Sequence, residues 1–481
     1  MTGKKLKTIF KIGSNGSDLL ALELGKKLKQ QLAKDGYDLE VYYAGAMQRF
    51  KDNLIAKGVA PDKIFLTGHE EIKKPAQPDL KYLRRCEKLY GIRVWDRWTI
   101  SAPRRNYSKT SPDEILYWFE YTFRAYEKLF DQVQPDFIIT YFPGNFNMSI
   151  YTEMAKGRNI PVLYPHGSRL PKRFMIDQGL SGLNENLMAE YEQIKKEGLS
   201  ESERKRALEY ISSFHNRPKT QDCKVKFKES FSEKVKKGRE DITFALQLLF
   251  KYRQFSSFYY LMQRGKNKVK EKYYLTKKYF EYPPPGEKFV LFPLHVQPEM
   301  ATSLFGKWYT NQLNLAEIIS KALPVDYKLY IKEHNYFGSR PNGFYQELKK
   351  LKNCRLIHPR VNNFKLIQKS SLVMTITGTA GFEAFFFGKP VITFGNIFYN
   401  SFDGVKKIED VEKLPELIES QLNQKIDPEK AIEFLGAMFR ITYPGLMLLP
   451  RRTKGESLSS DNTTLLAAGL YDHLKKNKII S

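Results

Sequence analysis

Apolar and polar positions along the chain form two regular alternations of short β-rich runs and amphipathic stretches, separated by a region of different character. Thr8–Lys11 reads as a strand followed by a turn at Gly13-Ser-Asn-Gly16. Asp18–Leu32 then carries Leu19, Leu20, Leu22, Leu24 and Leu28 at mostly helical spacing. Asp38–Tyr43 and Lys63–Leu66 read as further strands, and Asp79–Tyr90 and Pro112–Gln132 as long helices. Pro135–Tyr141 and Ile160–Tyr164 read as buried strands ending at Phe142-Pro-Gly-Asn145 and Pro165-His-Gly167. This alternation predicts one Rossmann-like α/β domain over residues 1–200. Residues 201–285 are dense in Lys, Glu, Arg and aromatics and poor in Gly, which predicts helices bridging two domains.

A second α/β pattern begins after Pro283-Pro-Pro285. Strands at Phe289–Pro293, Tyr327–Lys332, Arg355–His358, Leu372–Thr377 and Val391–Phe394 alternate with helices at Thr310–Ala322, Gly343–Leu351, Phe364–Lys369 and directly after Thr377. Five strands so interleaved predict a doubly wound parallel sheet over residues 286–430. Helices at Val411–Leu422, Pro428–Arg440 and Leu465–Lys475 follow, and residues 431–481 are expected to return to the first domain. Two Rossmann-like domains facing a cleft, with a helical bridging segment and C-terminal helices, make up the GT-B layout of many glycosyltransferases.

The densest chemistry lies at the ends of these strands, where ligands of doubly wound sheets bind. Thr377-Gly-Thr-Ala-Gly381 is a turn of small residues that lets backbone approach a ligand, and the following helix offers N–H groups to an anion. Glu383 stands about one turn into that helix, within reach of ribose hydroxyls beside a bound phosphate. The plain alternative is a tight corner built with Gly378 and Gly381 and a helix capped by Glu383. Earlier strand ends contribute His295, then Lys332, His334 and Arg340, then His358. With Thr377, Gly378, Thr379, Gly381 and Glu383 these form a candidate nucleotide site in which Lys332 and Arg340 neutralise charge on a leaving group.

Glycosyl transfer also needs a base, expected from the first domain, and the candidates are Asp96 and His166. Asp96 lies in Trp95-Asp-Arg-Trp98 after a possible strand, and the competing explanation is an ion pair with Arg97 or a helix cap. In a configuration-retaining enzyme Asp96 would be the nucleophile. Gly13-Ser-Asn-Gly16, Asn145 and Asn147 fit an acceptor site, and plain turn chemistry explains them nearly as well. No Asp-x-Asp element occurs, which fits a metal-independent enzyme; the GT-B reading implies no cofactor and a nucleotide sugar, CMP- or UDP-linked, as substrate.

Composition narrows the partners. The 481 residues carry 79 Lys and Arg against 53 Asp and Glu, a formal charge of +26. The isoelectric point is near 9.6 and the mean hydropathy −0.49. Such a balance suits phosphorylated substrates or anionic lipid headgroups. Nucleic acid ranks low, because zinc-finger spacing and RNA-recognition aromatics are both missing. Apolar runs fall far short of the ~18 residues of a membrane span. Cys86, Cys223 and Cys354 lie far apart, and Thr8-Ile-Phe10 follows the start without an apolar signal core, which predicts a cytoplasmic protein. Leu248–Met262 mixes Phe250, Tyr252, Phe255, Phe258, Tyr259 and Tyr260 with Lys251 and Arg253, and Lys266, Lys268, Lys270, Lys272, Lys277 and Lys278 follow. A helix of this kind either lies peripherally on an anionic inner membrane face or packs its aromatics on a neighbouring domain.

Phe292-Pro-Leu-His-Val-Gln-Pro-Glu299, Tyr330-Ile-Lys-Glu-His334 and Thr375-Ile-Thr-Gly-Thr-Ala-Gly-Phe-Glu-Ala384 together resemble the capsular polysaccharide biosynthesis family, which includes bacterial capsular Kdo transferases. The resemblance spans about Lys288 to Gly395 and extends weakly through Pro135–Thr140 and Ile160–Gly167. It implies a glycosyltransferase that moves a sugar from a nucleotide-sugar donor to a capsular or lipopolysaccharide-type glycan, free or lipid-linked. Thr379-Ala-Gly-Phe-Glu383 is also similar to the glycine-rich loop and acid of UDP-N-acetylglucosamine 2-epimerases, which implies phosphate contacts from the loop and ribose contacts from Glu383. Where relatives commonly carry His-Pro this chain has His334-Asn335, with a His-Pro one strand later at His358-Pro359. Pro165 stands where a Glu often precedes the His-Gly. Two other functions fit the same layout: transfer of a polyol phosphate from a CDP-linked donor, and a non-catalytic scaffold of a capsule assembly complex.

Overall fold

The computed structural model describes residues 4–11, 17–46, 48–68, 77–101, 110–140, 146–215, 256–276, 279–297, 299–334, 340–447 and 455–480. The Gly13–Gly16 turn, Phe142–Asn145, Leu248–Phe255, Lys277, Lys278 and Asn335 lie outside these residues. The chain divides into two units, Met1–Glu190 with Met438–Ser481, and Tyr191–Ala437. The divisions fall inside the helices Glu185–Glu197 and Pro428–Ile441.

The first unit is built on β1 (Lys4–Lys11), β2 (Tyr37–Gly45), β3 (Ile64–Leu66), β4 (Phe137–Thr140), β5 (Val162–Gly167) and β6 (Arg173–Asp177). β1 to β5 are parallel, in the order β3-β2-β1-β4-β5, and β6 turns back antiparallel on β5. Parallel strands covered on both faces need apolar side chains on both. Ile9, Phe10, Phe137, Ile138 and Ile139 are accordingly all buried, and they divide between two aliphatic and aromatic cores.

The second unit carries β7 (Phe289–Pro293), β8 (Lys328–Lys332), β9 (Cys354–Ile357), β10 (Leu372–Thr375), β11 (Val391–Thr393) and β12 (Val405–Lys407). All neighbours pair in parallel, in the order β12-β11-β10-β7-β8-β9. Counted within the unit this is 3-2-1-4-5-6 read from β9, the order of a dinucleotide-binding Rossmann sheet. The described helices of the segment read above as a bridge belong to this unit. Phe214, at the end of Glu201–His215, packs on Phe386 with centroids 4.6 Å apart, and Tyr274, near the end of Ser256–Thr276, packs edge-on against Tyr345 at 4.8 Å.

The chain then returns to the first unit. β13 (Tyr443–Pro444) pairs antiparallel with β6, completing a seven-stranded sheet. The helix Ser460–Lys476 buries Leu466, Leu470 and Leu474 in the same core as Leu20, Leu24 and Leu28 of the helix Ser17–Ala33. Among the described residues no helix is long and apolar enough to cross a membrane.

Candidate functional site

In the second unit the chain leaves β7 towards β8 on one side and β10 towards β11 on the other, so a crevice opens beyond the ends of the β7–β10 pair. His295 follows β7, is 7% exposed, and is held by its backbone: its N–H donates to Gln312 Oε1 at 2.7 Å, and its carbonyl accepts from Gln312 Nε2 at 3.2 Å. Its ring spans the crevice. Nε2 lies 3.2 Å from Thr375 Oγ1 and accepts from the Thr377 N–H at 3.4 Å, which leaves Nδ1 to donate to Glu299 Oε2 at 3.3 Å. Thr375 Oγ1 in turn accepts from the Gly378 N–H at 3.0 Å. One imidazole thus fixes the loop after β10 against the loop after β7. Beside it, Thr377 Oγ1 is buried without a hydrogen-bond partner, an acceptor and donor available to a ligand.

The loop leads into the helix Thr379–Phe385, whose cap, Gly378, supplies no side chain to its N-terminus. The first N–H groups of a helix have no partners within it. The two glycines serve packing as well as approach. A Cβ on Gly378 would sit 2.5 Å from Thr375 Oγ1, and one on Gly381 2.5 Å from the Tyr399 hydroxyl. That hydroxyl donates to the Gly378 carbonyl at 2.5 Å, so Gly381 makes room for a buttress of the loop. Glu383 Oε2 accepts from Asn363 Nδ2 at 3.2 Å, at the start of the helix after β9.

Two further groups stand along the same edge. Lys332, last in β8 and 8% exposed, donates to the Pro359 carbonyl at 3.1 Å. His358 stacks on the exposed Tyr282 with centroids 5.3 Å apart. Burial, then the charges of Arg360 and Lys332, pull its pKa below the ordinary histidine value, so it is a neutral imidazole at neutral pH. The chain runs directly from Lys332 into a buried ion pair. Glu333 and Arg340 are each 1% exposed and joined by two bonds, 2.9 Å from Nε and 2.6 Å from Nη2, while Tyr345 donates to Glu333 at 2.7 Å and the His334 N–H at 2.6 Å. This corrects the expectation for Arg340: its charge is neutralised inside the protein by Glu333, with only Nη1 lacking a partner. Arg340 instead completes Glu333, the carboxylate that accepts from the His334 N–H.

In the first unit the two base candidates differ. Asp96 does not follow a strand; it sits in the helix Val94–Ser101, 3.8 Å from Arg97, which also approaches Glu153 at 3.7 Å. His166 stands near the end of β5, stacked on Tyr164, with Nε2 2.9 Å from Asp177 Oδ2 on β6. Asn184 donates to the other oxygen of Asp177 at 2.5 Å. A carboxylate so anchored orients an imidazole. Sequence reasoning missed Asp177 because β6 carries no strong strand signal, and it missed Glu333 because an acid within a polar cluster gives no sign of burial.

It also missed Lys11. This residue ends β1, in register with Thr140 of β4, where the first sheet in turn diverges. It is fully buried, donates to Thr67 Oγ1 at 2.5 Å and lies over the rings of Tyr126 and Tyr151 at 4.9 and 5.8 Å. Burial lowers its pKa from 10.5 to about 7. Asn147 belongs to the same cluster, bonded to the Tyr126 hydroxyl and donating to the Thr67 carbonyl at 2.7 Å. It braces the interior rather than a surface turn.

Comparison with known proteins finds a family match over part of the chain. Residues 202–414 match the model of the capsule polysaccharide biosynthesis protein family. The Protein FixF of Sinorhizobium fredii is 32% identical over 139 residues, which cover 26% of this chain and 31% of that relative's length. Among solved structures, the beta Kdo 2,7 transferase of Thermosulfurimonas dismutans KpsC aligns at 14% identity and TM-score 0.37, over 68% of this chain and 83% of that one. The UDP-GlcNAc 2-epimerase of Methanocaldococcus jannaschii in complex with UDP-GlcNAc and UDP aligns at 12% identity and TM-score 0.29, over 91% and 99%.

Proposed function

We propose that this chain, whose residues 202–414 match the model of the capsule polysaccharide biosynthesis protein family, is a glycosyltransferase that holds a nucleotide-sugar donor beyond β7 and β10. The observation that carries the reading is the hydrogen-bonded bridge from His295 to Thr375 and Thr377, which orders a small-residue loop at the point where the sheet diverges. In this reading the loop amides and Thr377 Oγ1 receive the phosphate and Glu383 receives ribose hydroxyls. Lys332 neutralises the charge that grows on the departing nucleotide. In a direct displacement the acceptor oxygen bonds to the anomeric carbon while the bond from that carbon to the phosphate oxygen breaks, its electron pair leaving with the nucleotide. The acceptor proton passes to a general base, a task for which the imidazole of His166, oriented by Asp177, has suitable chemistry. Protein cations and amides do the work of a metal here, so chelator is expected to leave turnover unchanged. The acceptor is a capsular or lipopolysaccharide-type glycan, free or lipid-linked.

A thermal-shift screen of CMP-, UDP- and GDP-sugars, followed by linkage analysis of the product made from the stabilising donor, tests the reading. Stabilisation by one donor class and a new glycosidic bond with release of nucleotide are expected. A phosphodiester in the product, or no stabilisation by any donor, contradicts it.

A further inference from the structure

Among the described residues, one side of the helix Ser256–Thr276 is buried against the second unit. Tyr274 is 4% exposed and packs on Tyr345 and Tyr279, Leu275 joins the core of the second unit, and Lys270 Nζ donates to the Arg340 carbonyl at 3.2 Å. On the opposite side Met262, Val269 and Tyr273 are 48%, 71% and 49% exposed. Their spacing, seven residues and then four, puts them within about 40° of one another on a helix of 3.6 residues per turn. The same projection sets Lys266 about 60° to one side of Val269, with Lys272 about 60° and Lys268 about 100° to the other. All three lysines are exposed. Glu271, the one acid of this helix, projects to the anchored side.

The exposed side is therefore an apolar ridge flanked by lysines. A protein partner would need far more apolar area than three side chains offer, on the order of 1,000 Å² in all. A bilayer surface needs only such a ridge to enter the headgroup boundary while lysine stems lie along it and their ammonium groups reach lipid phosphates. The formal charge of +26 adds long-range attraction to an anionic leaflet. We propose that this face of Ser256–Thr276 docks the protein peripherally on an anionic lipid surface. The contact goes beyond the donor reading and stands or falls without it.

Co-sedimentation of the full chain with vesicles of phosphatidylcholine alone, and with vesicles in which phosphatidylglycerol replaces part of it, reads the contact. Binding is expected to the anionic vesicles alone and to weaken as salt is raised. The pair Val269→Asp and Tyr273→Asp, and separately the triple Lys266→Glu, Lys268→Glu and Lys272→Glu, should each lower the bound fraction at least tenfold. The replaced side chains are solvent-exposed, and an unchanged melting temperature marks the variants as folded. Equal binding to both vesicle types, no binding, or full binding by both variants overturns the proposal. So does self-association of the chain without lipid that is lost in Val269→Asp, because it assigns the face to a second copy.

Discussion

At the scale of single residues, the interior of each unit holds a charged group whose surroundings decide its role. Lys11 has a hydroxyl and two aromatic faces as named neighbours, and the Tyr126 and Tyr151 hydroxyls beside it are pushed above the ordinary tyrosine range by burial. Both tyrosines stay neutral while the lysine titrates. The unfolded side chain loses its proton near 10.5 and the folded one near 7, so between these values the unfolded state holds the extra proton. Native stability on this account rises with pH across that window, by on the order of 5 kcal/mol. Urea unfolding at pH 7 and pH 9 should show the rise in the parent and a flattened response in Lys11→Met, whereas equal responses refute the assignment. Glu333 is the opposite case, a carboxylate completed by Arg340 and Tyr345. Glu333→Gln leaves a buried guanidinium uncompensated and should cost about 3–5 kcal/mol in denaturant unfolding. A loss under 1 kcal/mol would show the pair to be exposed in solution. Neither role was legible in the sequence, where Lys11 is one of many lysines and Glu333 one polar residue in a polar cluster.

Single elements were more readable, and the reason is periodicity. The strands β4, β7, β8 and β10 carry continuous apolar runs because both their faces are covered, and the sequence marks each of them, while β1 is marked by Thr8-Ile-Phe10 alone. β12 and β6 escaped: Val405–Lys407 is three residues with two lysines, and Arg173–Asp177 ends in charge on both sides. The turn Thr377–Gly381 was located correctly as a feature, yet the duty of its second glycine was not, since Tyr399 arrives from eighteen residues further on. Gly381→Ala must displace the Tyr399 hydroxyl from the Gly378 carbonyl, and the loop loses its buttress. Donor affinity is expected to fall about tenfold, or 1.4 kcal/mol, by calorimetry. Tyr399→Phe, which removes the same hydrogen bond without adding an atom, should fall in the same direction by less. Full affinity in both would show that the loop needs no support.

For the whole molecule, the pairing of two Rossmann-like sheets on one chain follows from the two alternations of the sequence, and the return of Met438–Ser481 to the first unit follows from its leucine-bearing last helix. The parallel order of the second sheet could not be read from periodicity, which fixes strands but not their neighbours; it is that order which brings His295 beside Thr375. The family match of residues 202–414 and the geometry both support one proposal, that the edge beyond β7 and β10 is a nucleotide-sugar site. Calorimetric titration of the donor found by screening into the parent, His295→Ala and Glu383→Ala tests it most directly. A single site per chain in the parent, weakened at least tenfold in both variants while free phosphate competes only weakly, is the predicted result. Parent-like affinity in both variants would contradict the account, because the donor would then bind somewhere other than the loop that His295 orders.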